Sequence, residues 1–148
     1  MCNIPKVRLK VIKEDGVRYD VRPVMSNPES SAGLFRAFAE YEDREQMMIA
    51  FLNAKNRVVG VETVSVGTVN ASLIHPREVF KSAILLSASA IMMCHNHPSG
   101  DVKPSKEDRE MTERIKKAGE VLGIALMDHI IIGADKVDGY YSFAQQEF

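Results

Sequence analysis

The stretch MMCHNHPSGDVKPSKEDRE, residues 92–110, joins an apolar run to a polar segment through a turn rich in Pro, Gly and Ser. Before it, Ala88–Cys94 (ASAIMMC) is almost continuously apolar, as a central strand buried on both faces would be. After it, Ser105–Leu122 carries Met111, Ile115, Ala118 and Leu122 at helical spacing. A buried strand that turns and returns as an amphipathic helix predicts a strand-helix unit at the heart of an α/β sheet.

The rest of the chain supplies elements to build around that unit. Lys6–Lys13 and Val17–Val21 alternate apolar with charged residues about Glu14-Asp15-Gly16, which predicts a β-hairpin. Ser26-Asn27-Pro28-Glu29 offers a helix start, and Leu34, Phe35, Phe38 and Tyr41 predict an amphipathic helix over residues 28–42. Glu45–Asn53 and Arg57–Thr68 flank a turn at Ala54-Lys55-Asn56 and read as adjacent antiparallel strands. Pro76–Ser87 reads as a further helix, and Leu126–Ile132 and Tyr140–Phe143 as late strands separated by Gly133–Gly139. No repeat, low-complexity tract or interdomain linker interrupts this order. The expectation is one domain over residues 1–148, a mixed central sheet flanked by helices, with residues 1–43 forming an N-terminal hairpin and helix.

Composition narrows the function classes. With 45% apolar and 26% charged residues the chain has the make-up of a globular protein. A net charge of −1 gives no bulk attraction to nucleic acid or to an anionic membrane. The longest apolar stretch, Ala83 to Cys94, is broken by serines and too short to span a bilayer. The opening residues MCNIPKVRLKV lack the apolar core of a signal peptide, and Cys2 and Cys94 make no disulfide framework. A cytoplasmic location is expected.

His95 and His97 stand two residues apart at the end of the central strand, so both imidazoles point to one side. Seven residues separate His97 from Ser105, and Asp108 follows one turn into the helix. A loop of that length can carry the helix start back to the histidines. Two imidazoles and a carboxylate make a three-ligand set that leaves one position of a zinc ion open for water. Ser105-Lys106-Glu107-Asp108 is equally a capping arrangement, with Ser105 at the N-cap and an acid at the third position.

The complete pattern, His-x-His-Pro, seven residues from His97 to Ser105, then Ser-x-x-Asp, resembles the JAMM (JAB1/MPN/Mov34) metalloprotease motif, with Asn96 where Ser or Thr often stands. HNHPSGDVKPSKED, with MDHIIIG downstream, is more closely similar to the RadC family, and the likeness runs from about Arg44 to the C-terminus. That resemblance implies a JAB/MPN-like fold of cytidine deaminase-like architecture. It implies Zn2+ held by His95, His97 and Asp108, with Ser105 helping to hold the oxyanion of a tetrahedral intermediate. An upstream glutamate would act as general base. Glu45 opens the strand where JAMM domains carry theirs, and Glu62, on the following strand, competes but reads more simply as solvent-facing.

The implied reaction is hydrolysis of a peptide or isopeptide bond in a peptide or protein substrate, by a zinc-activated water. An alternative is a non-catalytic zinc-containing module tied to DNA repair, since the family carries a DNA-repair association. The chain lacks the helix-hairpin-helix glycine pattern of many RadC proteins, which weakens direct DNA binding. The deaminase signature His-x-Glu with Pro-Cys-x-x-Cys is absent, as is His-Glu-x-x-His. A two-metal nuclease is disfavoured, because such sites hold hard cations through carboxylates.

Other residues have plainer expectations. Cys94 should point away from the histidines and be a buried thiol. His75 should sit at a helix start, and His129 should be a hydrogen-bonded core histidine or support the metal ligands. Lys103, Lys106, Arg109, Arg114, Lys116 and Lys117 bias the loop and long helix toward positive charge, diluted by Glu107, Glu110 and Glu113. The sequence leaves the oligomeric state open.

Overall fold

The computed structural model describes residues 1–40, 43–67, 74–133 and 139–148. Tyr41, Thr68 and residues 134–138 of the last connection, all included in the sequence-based elements, lie outside the described residues. The elements are α1 (Pro28–Phe38), β1 (Glu45–Leu52), β2 (Val58–Gly67), α2 (Pro76–Leu85), β3 (Ala90–His97), α3 (Lys106–Leu122), β4 (Ala125–Gly133), β5 (Tyr140–Ser142) and α4 (Phe143–Gln146). The strands form an open five-stranded sheet in the order β2-β1-β3-β4-β5. Only the β3–β4 pair is parallel, as the intervening helix α3 requires; the other three pairs are antiparallel. This is the mixed sheet flanked by helices that the sequence predicts.

Each face of the sheet carries its own core. On one, Met47, Ile49, Phe51, Ile91 and Met93 pack against Val79, Phe80 and Ala83 of α2 and Met111 and Ile115 of α3. On the other, Met48, Ala50, Leu52, Met92, Cys94 and Ile130 pack against Ala32, Leu34 and Phe35 of α1. β1 and β3 are buried on both sides for this reason, which explains their unbroken apolar sequences. Removing a side chain such as Phe35 or Phe51 from water stabilises the fold by about 2–3 kcal/mol.

Local chemistry sets the element ends. Asn27 caps α1 by accepting from the Ser30 N–H, with Pro28 following at the first helical position. His75 caps α2 through Nδ1, 3.0 Å from the Arg77 nitrogen. The Asn53 side chain accepts from the N–H groups of Lys55 and Arg57, and Asn56 takes φ 55° to close the β1–β2 turn.

Three sequence-based expectations change. The helix predicted over 28–42 ends at Phe38, where Ala39 turns extended and caps it through its N–H to the Phe35 carbonyl. Residues 6–21 form no strand, so the N-terminal hairpin is absent. An isolated two-stranded ribbon is marginal in water, and here Val7 and Leu9 remain 78% and 74% exposed with no sheet beneath them. Only Val24 bridges to Arg57, and the Pro23 carbonyl accepts from the Val58 N–H at the start of the edge strand. At the other end Phe143 begins a helical turn, α4, instead of ending the last strand. Ser142 caps it by accepting from the Gln145 N–H, and the Ser-Phe-Ala-Gln sequence carries that capping signal.

Candidate metal centre

The end of β3 delivers His95 and His97 to the face that α3 covers, and the loop 98–105 returns the chain so that α3 starts beside them. Ser105 caps α3: its Oγ accepts from the Asp108 N–H at 3.0 Å, and its own N–H donates to Asp108 Oδ2 at 2.8 Å. The reciprocal pair fixes the Asp108 carboxylate against the helix start. That same carboxylate reaches the histidines, with Oδ1 3.1 Å from His95 Nε2 and Oδ2 3.4 Å from His97 Nε2. Capping and convergence are therefore one arrangement.

The two Nε2 atoms lie 2.9 Å apart. Ligand atoms on a tetrahedral zinc ion sit about 3.3 Å from one another, and the spacings of 2.9 Å between the imidazoles and 3.1 and 3.4 Å to the two Asp108 oxygens are compatible with a shared metal. Proton bookkeeping agrees for His97. Its Nδ1 is 2.7 Å from the main-chain oxygen of Asp101, and a carbonyl only accepts, so a neutral ring carries its hydrogen on Nδ1. Nε2 then keeps its lone pair toward the cluster. Among the described residues these three form a group whose ligand atoms all fall within 4.8 Å, compatible with a metal ion.

The electrostatics fit a charge-dense pocket. Burial pushes the Asp108 carboxyl up, but the His95 and His97 imidazoles beside it outweigh burial and hold the group far below the usual carboxylate range. For His97 burial lowers the pKa while Asp108, the Asp101 carbonyl and Glu45 raise it, and the rise wins. His129 is completely buried, and burial followed by the nearby His95 drives its pKa well below that of a free imidazole. Its ring stacks on Phe143 at 4.8 Å and 6°.

The candidate bases separate by register. β1 and β3 pair as far as Met47 opposite His95, and Glu45, two residues back on the Met47 face, lies near enough to raise the His97 pKa. Glu62 pairs instead with Ile49, on the edge strand and further from the histidines. It is half-buried toward α2, near Lys81, where the sequence predicts a solvent-facing residue. Its Oε2 is buried without a hydrogen-bond partner.

Sequence reasoning missed three contributors. Asn96, between the histidines, faces the opposite way and binds the backbone on both sides of Glu45, accepting from the Gln46 N–H and donating to the Arg44 carbonyl. Thr112, one turn beyond Asp108, touches both the Asp108 carbonyl and His129, and its i+4 spacing was the available signal. The third, the Asp101 carbonyl, has no signature in a side-chain alphabet. Cys94 turns to the α1 face as its strand position predicts. Part of the basic bias of α3 is offset, since Lys106, Lys117 and Arg109 reach Glu110, Glu113 and Glu147.

A mixed sheet with two strand-end histidines close to a helix-start aspartate is the architecture of a JAB/MPN-like domain, and the three residues could hold a metal ion as in a JAMM-type site. The chain belongs to the RadC-like JAB domain family, which matches residues 25–148. It is 46% identical over 138 residues to a UPF0758 protein of Rubrobacter xylanophilus, covering 93% of this chain and 57% of that one. It is 53% identical over 115 residues to a UPF0758 protein of Desulforudis audaxviator, covering 78% and 50%. The chain thus spans about half the length of the curated relatives it matches. Among the described residues no helix is long and apolar enough to cross a membrane.

Proposed function

We propose that this chain is a zinc-dependent hydrolase that cleaves a peptide or isopeptide bond. The observation that carries the reading is the meeting of His95 Nε2, His97 Nε2 and the Asp108 carboxylate; Glu45, at the start of the paired strand β1, is the base this reading assigns. Two neutral imidazoles and one carboxylate suit a borderline divalent ion, and Zn2+ would lower the pKa of a bound water from 15.7 to about 7. Glu45 takes the proton from the attacking water and passes it to the leaving amine as the C–N bond breaks. Ser105 Oγ accepts from the Asp108 N–H, which leaves its O–H to donate to the oxyanion of the tetrahedral intermediate. The Asn96 contacts to Arg44 and Gln46 hold Glu45 at the strand end while it works.

A cytoplasmic location, with a peptide or protein as substrate, completes this reading; the two cysteines are unpaired. The test is metal analysis of the purified protein together with a peptide-library cleavage assay. About one zinc per chain is expected, with cleavage that Glu45→Gln abolishes while zinc remains bound. A protein that neither holds zinc nor takes it up overturns the proposal. One that holds zinc and cleaves nothing is instead a non-catalytic zinc module, for which DNA-linked complexes are the partners to examine.

A further inference from the structure

We propose that Thr112 and His129 are positioning residues for the metal centre: a relay from the Asp108 main-chain carbonyl through both side chains sets the tautomer of His95. The inference rests on the reading of His95, His97 and Asp108 as metal ligands.

The direction of every hydrogen bond in the relay follows from its first member. Thr112 Oγ1 is 2.6 Å from the Asp108 carbonyl oxygen, which can only accept, so the single hydroxyl hydrogen points there. Oγ1 is also 2.6 Å from His129 Nδ1, and that contact now needs its hydrogen on Nδ1. A neutral His129 then has a bare Nε2, which lies 2.8 Å from His95 Nδ1. The hydrogen between them belongs to His95 Nδ1, and His95 Nε2 is left with its lone pair turned to Asp108 Oδ1 and His97 Nε2. With the relay reversed, a hydrogen would sit on His95 Nε2 and block the ligand position.

The surroundings close the relay to water and fix its geometry. Thr112 is 2% exposed and His129 is fully buried, so water does not compete for either. The Phe143 ring lies flat against His129 at 4.8 Å and 6°, fixing the plane in which its two nitrogens meet Thr112 and His95. Asp108 closes the circuit, since its backbone starts the relay and its side chain faces the histidine at the end. The two ligand histidines differ in one respect: a backbone carbonyl sets His97, and replaceable side chains set His95.

Two measurements test this. Two-bond 15N–1H NMR correlations of the histidine rings, recorded on the metal-free protein near neutral pH, should show both His95 and His129 with the hydrogen on Nδ1. His129 as the Nε2–H form or as an imidazolium overturns the proposal without any substitution. Chelator competition should show Thr112→Val losing zinc affinity by roughly 10- to 100-fold, and Thr112→Ser, which keeps the hydroxyl, staying within about threefold of the unmodified protein. A folded Thr112→Val protein that binds zinc unchanged also overturns it. An unmodified protein that takes up no zinc refutes the metal reading itself, whereas the ring NMR still decides whether the relay exists.

Discussion

Asn96 accepts a hydrogen bond from the Gln46 backbone N–H at 2.8 Å, using a side chain that points away from the two histidines on either side of it. Its amide also donates to the Arg44 carbonyl at 2.9 Å, so one buried side chain holds both flanks of Glu45. Asn96→Ala takes away both of these bonds. The expected cost is about 1–3 kcal/mol of unfolding free energy, measured by urea denaturation. Zinc content should stay unchanged, because no ligand is touched. An unaltered midpoint would show that the clamp does not hold the strand end.

Asp108 carries two tasks that substitution separates. Asp108→Asn keeps an acceptor for the Ser105 N–H but removes the charge, and zinc binding should be lost with little change in metal-free stability. Asp108→Ala removes the acceptor as well. It should be less stable than Asp108→Asn by about 1 kcal/mol in thermal melts with EDTA. Equal melting points for the two variants would count against the capping role.

Gly133 pairs with His97 at the end of β4, and a Cβ there would stand 3.1 Å from the Gly100 carbonyl oxygen. Gly133→Ala must push the 98–101 turn outward by a few tenths of an ångström. The Asp101 carbonyl that orients His97 lies on that turn. Zinc affinity should fall roughly tenfold in chelator competition while the far-UV circular dichroism stays the same. A protein that binds zinc as before would show that the turn absorbs the methyl group.

The two thiols should differ sharply in reactivity. Burial raises the Cys94 pKa well above that of a free thiol, and the group is wholly enclosed, so little thiolate forms. Cys2 is exposed. Maleimide should modify Cys2 rapidly and Cys94 only on denaturation, as mass spectrometry of peptides would report.

Zinc should reverse the way the site responds to pH. In metal-free protein the raised His97 pKa contributes stability that is full below 6.5 and fades as pH rises through the folded value. The lowered Asp108 pKa contributes above 3.8 and is lost as pH falls through its depressed value. Together they favour the window from about pH 4 to 6.5. Metal binding needs the imidazoles unprotonated, so the zinc-induced rise in melting temperature should grow from pH 6 to pH 8. A constant rise across that range would contradict the histidine ligation.

Much of this was legible beforehand. The i, i+2 histidines on a buried strand, the loop length to Ser105 and the helical phase of Asp108 showed that the three groups could converge, since strand and helix geometry are local. The resemblance of the whole pattern to the JAMM motif made them a ligand set. The N-terminal alternation misled: Val7, Leu9 and their neighbours have the period of a strand, but period makes a strand only where another strand or a core receives it. The turn at Phe143 was written in the Ser142–Gln145 cap and was outweighed by the aromatic run before it.

The sequence by itself determined the central strand-turn-helix unit, the placement of the three ligand candidates and the mixed α/β class. Each depends on residue periodicity and spacing along one continuous segment. Only the tertiary structure decided that Glu45 lies at the histidine end of the β1–β3 pair while Glu62 sits opposite Ile49 on the edge strand, and that Asn96 grips β1. It alone joined Thr112 to His129 and His129 to His95. Those pairings depend on strand order, register and helix docking between segments 17 to 52 residues apart, and no local pattern encodes which of several buried polar groups will meet.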